Sequence, residues 1–298
     1  MKLGLGTVQF GQAYGITNRA GRPSTADALR ILDVAARAGI DLLDTAHSYG
    51  NAEAVVGRWI AAGGRACIVT KTPVFGVPTL GAHHAAWLKS ALEQSLRRLG
   101  LKSVYGLLLH AADDLRGAGA RWLVDAMCEL RAAGKVAKIG VSIYTARQLD
   151  AAVALLAPDI VQLPLNVFDQ RLLESGHVAA LARDGVEIHV RSVFLQGLLL
   201  LRPDQLPSHL HDAAEPLQRW RRHLAEQRLS SLEGALAFAA QIPHARRVLV
   251  GVNSTQELSQ LVAAATSPCR AQIDYSQFSF ADERILNPAL WRRKEPVA

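Results

Sequence analysis

Four side chains able to move a proton or hold a charge fall between residues 44 and 110, three of them at the ends of apolar runs. Asp44 closes DLLD, Lys71 sits in CIVTKTP, His110 closes VYGLLLH, and Tyr49 follows Asp44 in DTAHSYG. An unpaired carboxylate in an apolar interior is very costly, so Asp44 requires a cationic partner. Lys71, on the next strand-like run, is the one the chain offers. A tyrosine hydroxyl with a pKa of about 10 is a poor proton donor at neutral pH. A neighbouring ammonium favours the phenolate and is expected to lower that pKa. Asp44 would hold the ammonium, and His110 would hydrogen-bond and orient a carbonyl oxygen. The set is built to protonate an oxygen on which negative charge develops, which is general acid catalysis with electrostatic support. Taken singly, an Asp–Lys pair between strands or a His at a strand end is an ordinary core feature. The combination points to chemistry.

Such a constellation needs elements that bring three strand ends to one place. Strand-like and helix-like runs alternate along the chain. Strands are expected at Leu3–Val8, Asp41–Asp44, Cys67–Lys71, Val104–His110, Lys138–Ile143, Asp159–Asn166, Glu187–Val193 and Arg246–Val252. Between them lie amphipathic stretches such as Ser24–Ala38, where Ser24 and Asp27 make a capping-box pattern, and His83–Leu99. Eight strands alternating with helices indicate an α/β fold, a (β/α)8 TIM barrel. A single domain over residues 1–298 is expected, with an irregular C-terminal tail from about residue 272. A doubly wound sheet is the competitor, but no G-x-G-x-x-G opens a helix after the first strand; GLGTVQFG has the wrong spacing. In a barrel the strand ends surround one mouth, which gathers Asp44, Lys71 and His110, with Tyr49 above.

Composition narrows the class. Half of the 298 residues are hydrophobic and a fifth charged, enough for a large core. Cys67, Cys128 and Cys269 form no disulfide or zinc spacing, and a reducing cytoplasm is the natural setting. MKLGLGTVQF lacks a signal-peptide pattern, and no apolar run approaches a membrane span. A net charge of +7 allows anionic ligands, but the arginines are dispersed and no nucleic-acid motif accompanies them. Neither a nucleic-acid nor a membrane partner is expected. His209 and His211 lack further ligands at suitable spacing, so no metal site is expected.

The motifs DTAHSYG, VTKTP and LLLH, with GKVAKIGVS, IVQLPLN, FLQGLL and VLVGVNSTQEL, make the chain resemble the aldo-keto reductases along nearly its whole length. The resemblance implies hydride transfer between a nicotinamide and an aldehyde, ketone or sugar carbonyl. Tyr49 would donate the proton, and Tyr49, Lys71, Asp44 and His110 match the family's tetrad. It also implies cofactor contacts. Ser142 and Gln162 match the residues that hold the nicotinamide carboxamide, with Ile143 replacing the usual Asn. Arg191 replaces the aromatic that stacks on the ring. Gln196, Gly197 and Leu198 match the segment beside the pyrophosphate, and Gly251, Asn253, Ser254 and Glu257 fall in the last unit, near a 2′-phosphate. NADP(H) is the family's default, whereas Glu257, where Arg or Gln is common, and the missing basic residues pull toward NAD(H). Phe75, Trp87, Phe194 and Trp291 are candidates for the substrate pocket.

Two other readings compete. A barrel aldolase would use Lys71 as a Schiff base, but a charged Asp44 partner opposes the lowered pKa this needs. A cofactor-binding regulatory subunit or redox sensor with negligible turnover would keep the cofactor site and lack useful catalysis.

Overall fold

The computed structural model describes residues 1–267 and 271–291, so Cys269 lies outside it. Eight parallel strands close into a barrel: β1 (Leu3–Gly6), β2 (Leu42–Asp44), β3 (Cys67–Lys71), β4 (Val104–Leu109), β5 (Val136–Ser142), β6 (Ile160–Pro164), β7 (Glu187–Arg191) and β8 (Ala245–Val250). Each pairs with its neighbours in sequence, and β8 pairs with β1. Around them run the longer helices α1 (Thr25–Arg37), α2 (Ala52–Ala61), α3 (Ala82–Leu99), α4 (Arg121–Ala132), α5 (Ala146–Leu156), α6 (His177–Arg183), α7 (Ala214–Glu226), α8 (Ser231–Gln241) and α9 (Thr255–Thr266). The (β/α)8 barrel expected from the alternation is the observed fold.

Local chemistry sets the helix ends. The Ser24 hydroxyl accepts from the Asp27 N–H at the start of α1, and Thr145 and Gln148 cap α5 reciprocally. α3 stops at Gly100, whose φ of 68° is left-handed and suits glycine. Strand limits differ from the sequence expectation mainly where the backbone turns. β1 ends at Gly6, because Val8–Gly11 winds into a single helical turn. β7 ends at Arg191, because Ser192 has a φ of 61°. Beyond α9, short helical turns occur at Tyr275–Phe278, Glu283–Leu286 and Pro288–Leu290.

The barrel interior decides which side chains reach the mouth. Leu42, Val69, Leu108, Ile160 and Leu249 form an apolar plug inside it, with Tyr105 packed against them. The larger core lies outside, between strands and helices, and includes Leu43, Ile68, Leu107, Leu109 and Val161. Successive side chains on a strand point to opposite faces. Two residues beyond the plug on β2, β3, β4 and β6 stand Asp44, Lys71, His110 and Gln162, which therefore face the barrel axis in the next layer up.

The Tyr49 loop is held from the other side by the short turn after β1. The Gln12 amide donates to the Ser48 carbonyl at 2.8 Å. A Cβ on Gly11 would stand 1.7 Å from the Tyr49 carbonyl oxygen, so only glycine allows this approach. Gly11→Ala must push the loop away. We expect it to lower the unfolding free energy in urea by about 1–3 kcal/mol, as overpacking usually does. Unchanged stability would show that the loop yields freely and that Gly11 does not fix it.

Candidate active site

Lys71 is almost wholly buried, and all three protons of its ammonium have acceptors. Nζ donates to Asp44 Oδ2 at 2.7 Å, to Asp44 Oδ1 at 2.8 Å and to the Thr45 carbonyl at 2.9 Å. The Gln162 amide donates to Asp44 Oδ1 at 2.7 Å, and the Thr7 hydroxyl to the Asp44 carbonyl at 3.0 Å. The buried pair is thus fully hydrogen-bonded, which is what permits it. Burial pulls the Lys71 pKa down, and the Asp44 carboxylate opposes that pull.

Tyr49 lies over this pair, with Lys71 Nζ 5.0 Å from its ring centroid. The expected lowering of its pKa is not found. The phenol is pushed up, first by burial and then by the Asp44 charge, with Arg191 acting against both. The ammonium's protons are directed at Asp44 and Thr45, so no hydrogen bond from Lys71 stabilises a phenolate. His110 packs edge-on against Tyr49 at 5.6 Å between centroids, and its Nδ1 lies 3.2 Å from the Ser48 hydroxyl. Burial, with the Lys71 and Arg191 charges, pushes its pKa down to about 3. His110 is a neutral imidazole at physiological pH.

These four residues line one cavity of about 850 Å³. Ser142, Gln162, Arg191, Gln196, Gly197, Gly251, Asn253 and Glu257 line it too, as does Phe194. Two expected contacts do not. Leu198 is fully buried in the core, because the left-handed backbone at Leu195, Gln196 and Gly197 turns its side chain inward. Ser254 caps α9, its hydroxyl accepting the Glu257 N–H at 3.1 Å. Glu257 is the partner in that cap, its carboxylate accepting the Asn253 N–H at 2.7 Å. The Asn253 side-chain oxygen accepts from Asn18 at 3.0 Å. The backbone N–H groups of Asn253 and Glu257 at this helix start are therefore already engaged by the chain itself.

Arg191, at the end of β7, sits with its guanidinium carbon 4.0 Å from the Tyr144 ring centroid. Tyr144, Tyr14 and Gln148 line the cavity and were not singled out from the sequence. Tyr144 lies two residues past Ser142, just beyond the carboxyl end of β5, and that position was the available signal. His47 turns away from the cavity, within 3.4 Å of the Ser95 hydroxyl on α3. Trp87 is 46% exposed and Phe75 packs edge-on against it, and neither lines the cavity. Trp291 donates to the Ile285 carbonyl and does not line it either. Among the described residues, no group of three or more His, Cys, Asp or Glu could hold a metal ion, and no helix is long and apolar enough to cross a membrane.

Comparison with known proteins places this barrel. The model of the Aldo/keto reductase family matches residues 2–276. The chain belongs to the aldo/keto reductase family. It is 30% identical over 190 residues to the aldo-keto reductase str7 of Strobilurus tenacellus, covering 62% of this chain and 54% of that protein. It is 33% identical over 191 residues to an aldo-keto reductase of Mycolicibacterium vanbaalenii, covering 61% and 64%. The chain thus spans between half and two-thirds of the length of these relatives. Its fold is shared with an aldo-keto reductase of Bacillus halodurans in its holo form, at a TM-score of 0.73 and 22% identity over 93% of this chain and 90% of that one.

The neutral His110 makes this aldo/keto reductase barrel sensitive to acid in a defined direction. The unfolded chain protonates a histidine at about pH 6.5, whereas the fold holds His110 neutral down to about 3. Between these values the unfolded state binds the extra proton, so stability rises with pH. His110's share is fully present above the upper value and is lost as pH falls toward the lower one. His110→Gln should flatten the dependence of urea midpoint on pH in that window. Parallel curves for the two proteins would contradict the assignment.

Proposed function

We propose that this protein is an oxidoreductase that reversibly reduces the carbonyl of a small aldehyde, ketone or sugar, using a nicotinamide cofactor and Tyr49 as proton donor. The observation that carries the reading is the convergence of Tyr49, Lys71 and His110 on one cavity that also reaches Asn253 and Glu257. At about 850 Å³ that cavity falls within the usual range for bound small molecules and cofactors. Its walls fit a nicotinamide dinucleotide: Ser142 and Gln162 toward the carboxamide, Arg191 beside the ring, Gln196 and Gly197 along the pyrophosphate, and Gly251, Asn253 and Glu257 at the adenosine end. Bound and reduced, the cofactor supplies the hydride.

The chain's own residues manage the proton. Tyr49, with its pKa pushed up, keeps its proton in the resting enzyme and gives it up only to a strongly basic oxygen. An oxygen gaining alkoxide character as the carbonyl is reduced is such a base. His110 is neutral, and in the tautomer whose Nδ1 accepts from the Ser48 hydroxyl its other nitrogen would carry a proton for that oxygen. Lys71 provides a fixed positive field beneath the phenol, held in place by Asp44 and, through it, by Gln162. Tyr49→Phe is expected to leave cofactor binding intact while turnover falls by about 10²–10⁴-fold, the usual worth of a general acid. Tight cofactor binding without turnover of any carbonyl in the unsubstituted protein would favour the regulatory-subunit reading instead.

We further propose NAD(H) as the cofactor. A helix start normally attracts an anion through its free N–H groups. Here the Glu257 carboxylate already accepts from Asn253, and it would repel a 2′-phosphate. Calorimetric titration should show NADH binding at least tenfold more tightly than NADPH, a difference of about 1.4 kcal/mol, and Glu257→Gln should narrow the gap. Tighter NADPH binding would overturn the role given to Glu257. Binding of neither would remove the oxidoreductase reading itself.

A further inference from the structure

Of the two cations on the described cavity wall, one is paired with a carboxylate and one is not. Its described carboxylates are Asp44, Asp113 and Glu257, and its cations are Lys71 and Arg191. Asp44 is matched by Lys71 and Gln162, and Glu257 by the Asn253 N–H. Asp113 accepts from Gln148 at 2.9 Å and from Arg116 at 3.2 Å. Arg191 makes no salt bridge among the described residues. Its two hydrogen bonds go to neutral acceptors, the Ile143 carbonyl at 2.7 Å and the Ser192 hydroxyl at 3.1 Å. A guanidinium has five N–H donors, so three remain.

This arginine is also held still. Tyr144 covers one face of the guanidinium, and the two hydrogen bonds fix its edge. Its charge acts on Tyr49, Lys71 and His110, so it stands close to where a carbonyl would react. A partly buried cation, rigidly placed, with free donors and no counter-charge, is built to receive an anion.

We propose that Arg191 binds a carboxylate on the substrate, so that the preferred carbonyl compound is an aldehyde or ketone acid. The inference rests on the oxidoreductase reading above and adds its substrate class. A carboxylate is favoured over a phosphate dianion because Arg191 is the lone unmatched cation on the described wall, Lys71 being held by Asp44. Two N–H groups of one guanidinium suit two carboxylate oxygens.

The test compares 4-carboxybenzaldehyde with 4-formylbenzamide, which share shape and differ in charge, at saturating reduced cofactor. The unsubstituted enzyme should show at least about tenfold higher kcat/KM for the carboxylate, the gain lying in KM and shrinking as salt is added. In Arg191→Gln the ratio of the two kcat/KM values should fall to near one whatever the absolute rates, and Arg191→Lys should keep part of it. Equal use of both aldehydes by the unsubstituted enzyme, or a ratio that survives in Arg191→Gln, overturns the proposal and leaves the oxidoreductase reading standing. Should Arg191→Gln fail to fold, the salt dependence of the ratio in the unsubstituted enzyme decides. If neither aldehyde is turned over, the oxidoreductase reading fails separately. Calorimetric binding of the same pair then decides the arginine's role, since carboxylate binding stronger than amide binding supports it and equal binding refutes it.

Discussion

The buried ion pair of Lys71 and Asp44 is the constraint to which the rest of the site is fitted. Carrying two charges out of water costs several kcal/mol per ion, and their attraction offsets this only with good geometry and further hydrogen bonds. The fold supplies both. The Thr45 carbonyl takes the third ammonium proton, Gln162 reaches Asp44 from across the barrel, and Thr7 ties down the Asp44 backbone. Removing either charged partner alone would strand the other, so the pair ties β2 to β3 as a unit. Gln162 extends that unit to β6, where Ser142 lies 3.4 Å from its amide oxygen. The side chains proposed to hold the cofactor's carboxamide are thereby linked by hydrogen bonds to the buried pair.

Much of this was legible because strands have a simple period. An apolar run that ends in a charged residue two positions past a plug residue places that charge in the barrel mouth, and Asp44, Lys71 and His110 follow the rule. The loops carry no such period. Tyr14 and Tyr144 enter the cavity from loops; the place of Tyr144 just past β5 was its one signal, and nothing in the spacing around Tyr14 distinguishes it from a surface tyrosine. Leu198 shows the reverse failure. It neighbours Gln196 and Gly197 in sequence, yet left-handed dihedrals at consecutive positions send it into the core. The Ser254–Glu257 cap was readable in principle, since its S-x-x-E is a capping pattern akin to the S-x-x-D that opens α1 at Ser24. Its consequence for the helix terminus emerges only when Asn253 N–H is seen to be engaged.

The acidity of Tyr49 illustrates a different limit. Proximity of an ammonium to a phenol was correctly inferred from strand order, but proximity does not fix the sign of the effect. What decides it is where the ammonium's three protons point and how much water the phenol retains. With those protons on Asp44 and Thr45, and the phenol partly buried, desolvation and the Asp44 charge outweigh the opposing charge of Arg191. Sequence gives the participants and leaves the balance to geometry.

That balance shapes the site as a whole. A phenol that holds its proton, a histidine that stays neutral and a lysine neutralised by its partner leave the catalytic end with little free charge of its own. In such surroundings a single unmatched guanidinium stands out in the local field, and its partial burial strengthens it. Arg191 eases negative charge on Tyr49, and under the proposed function it would also disfavour an oxidised, cationic nicotinamide and draw in an anion. These effects would share one origin and reinforce one another in the direction of reduction. A negatively charged substrate would screen the same guanidinium as it binds, so substrate charge and cofactor oxidation state should be coupled through Arg191 rather than act independently.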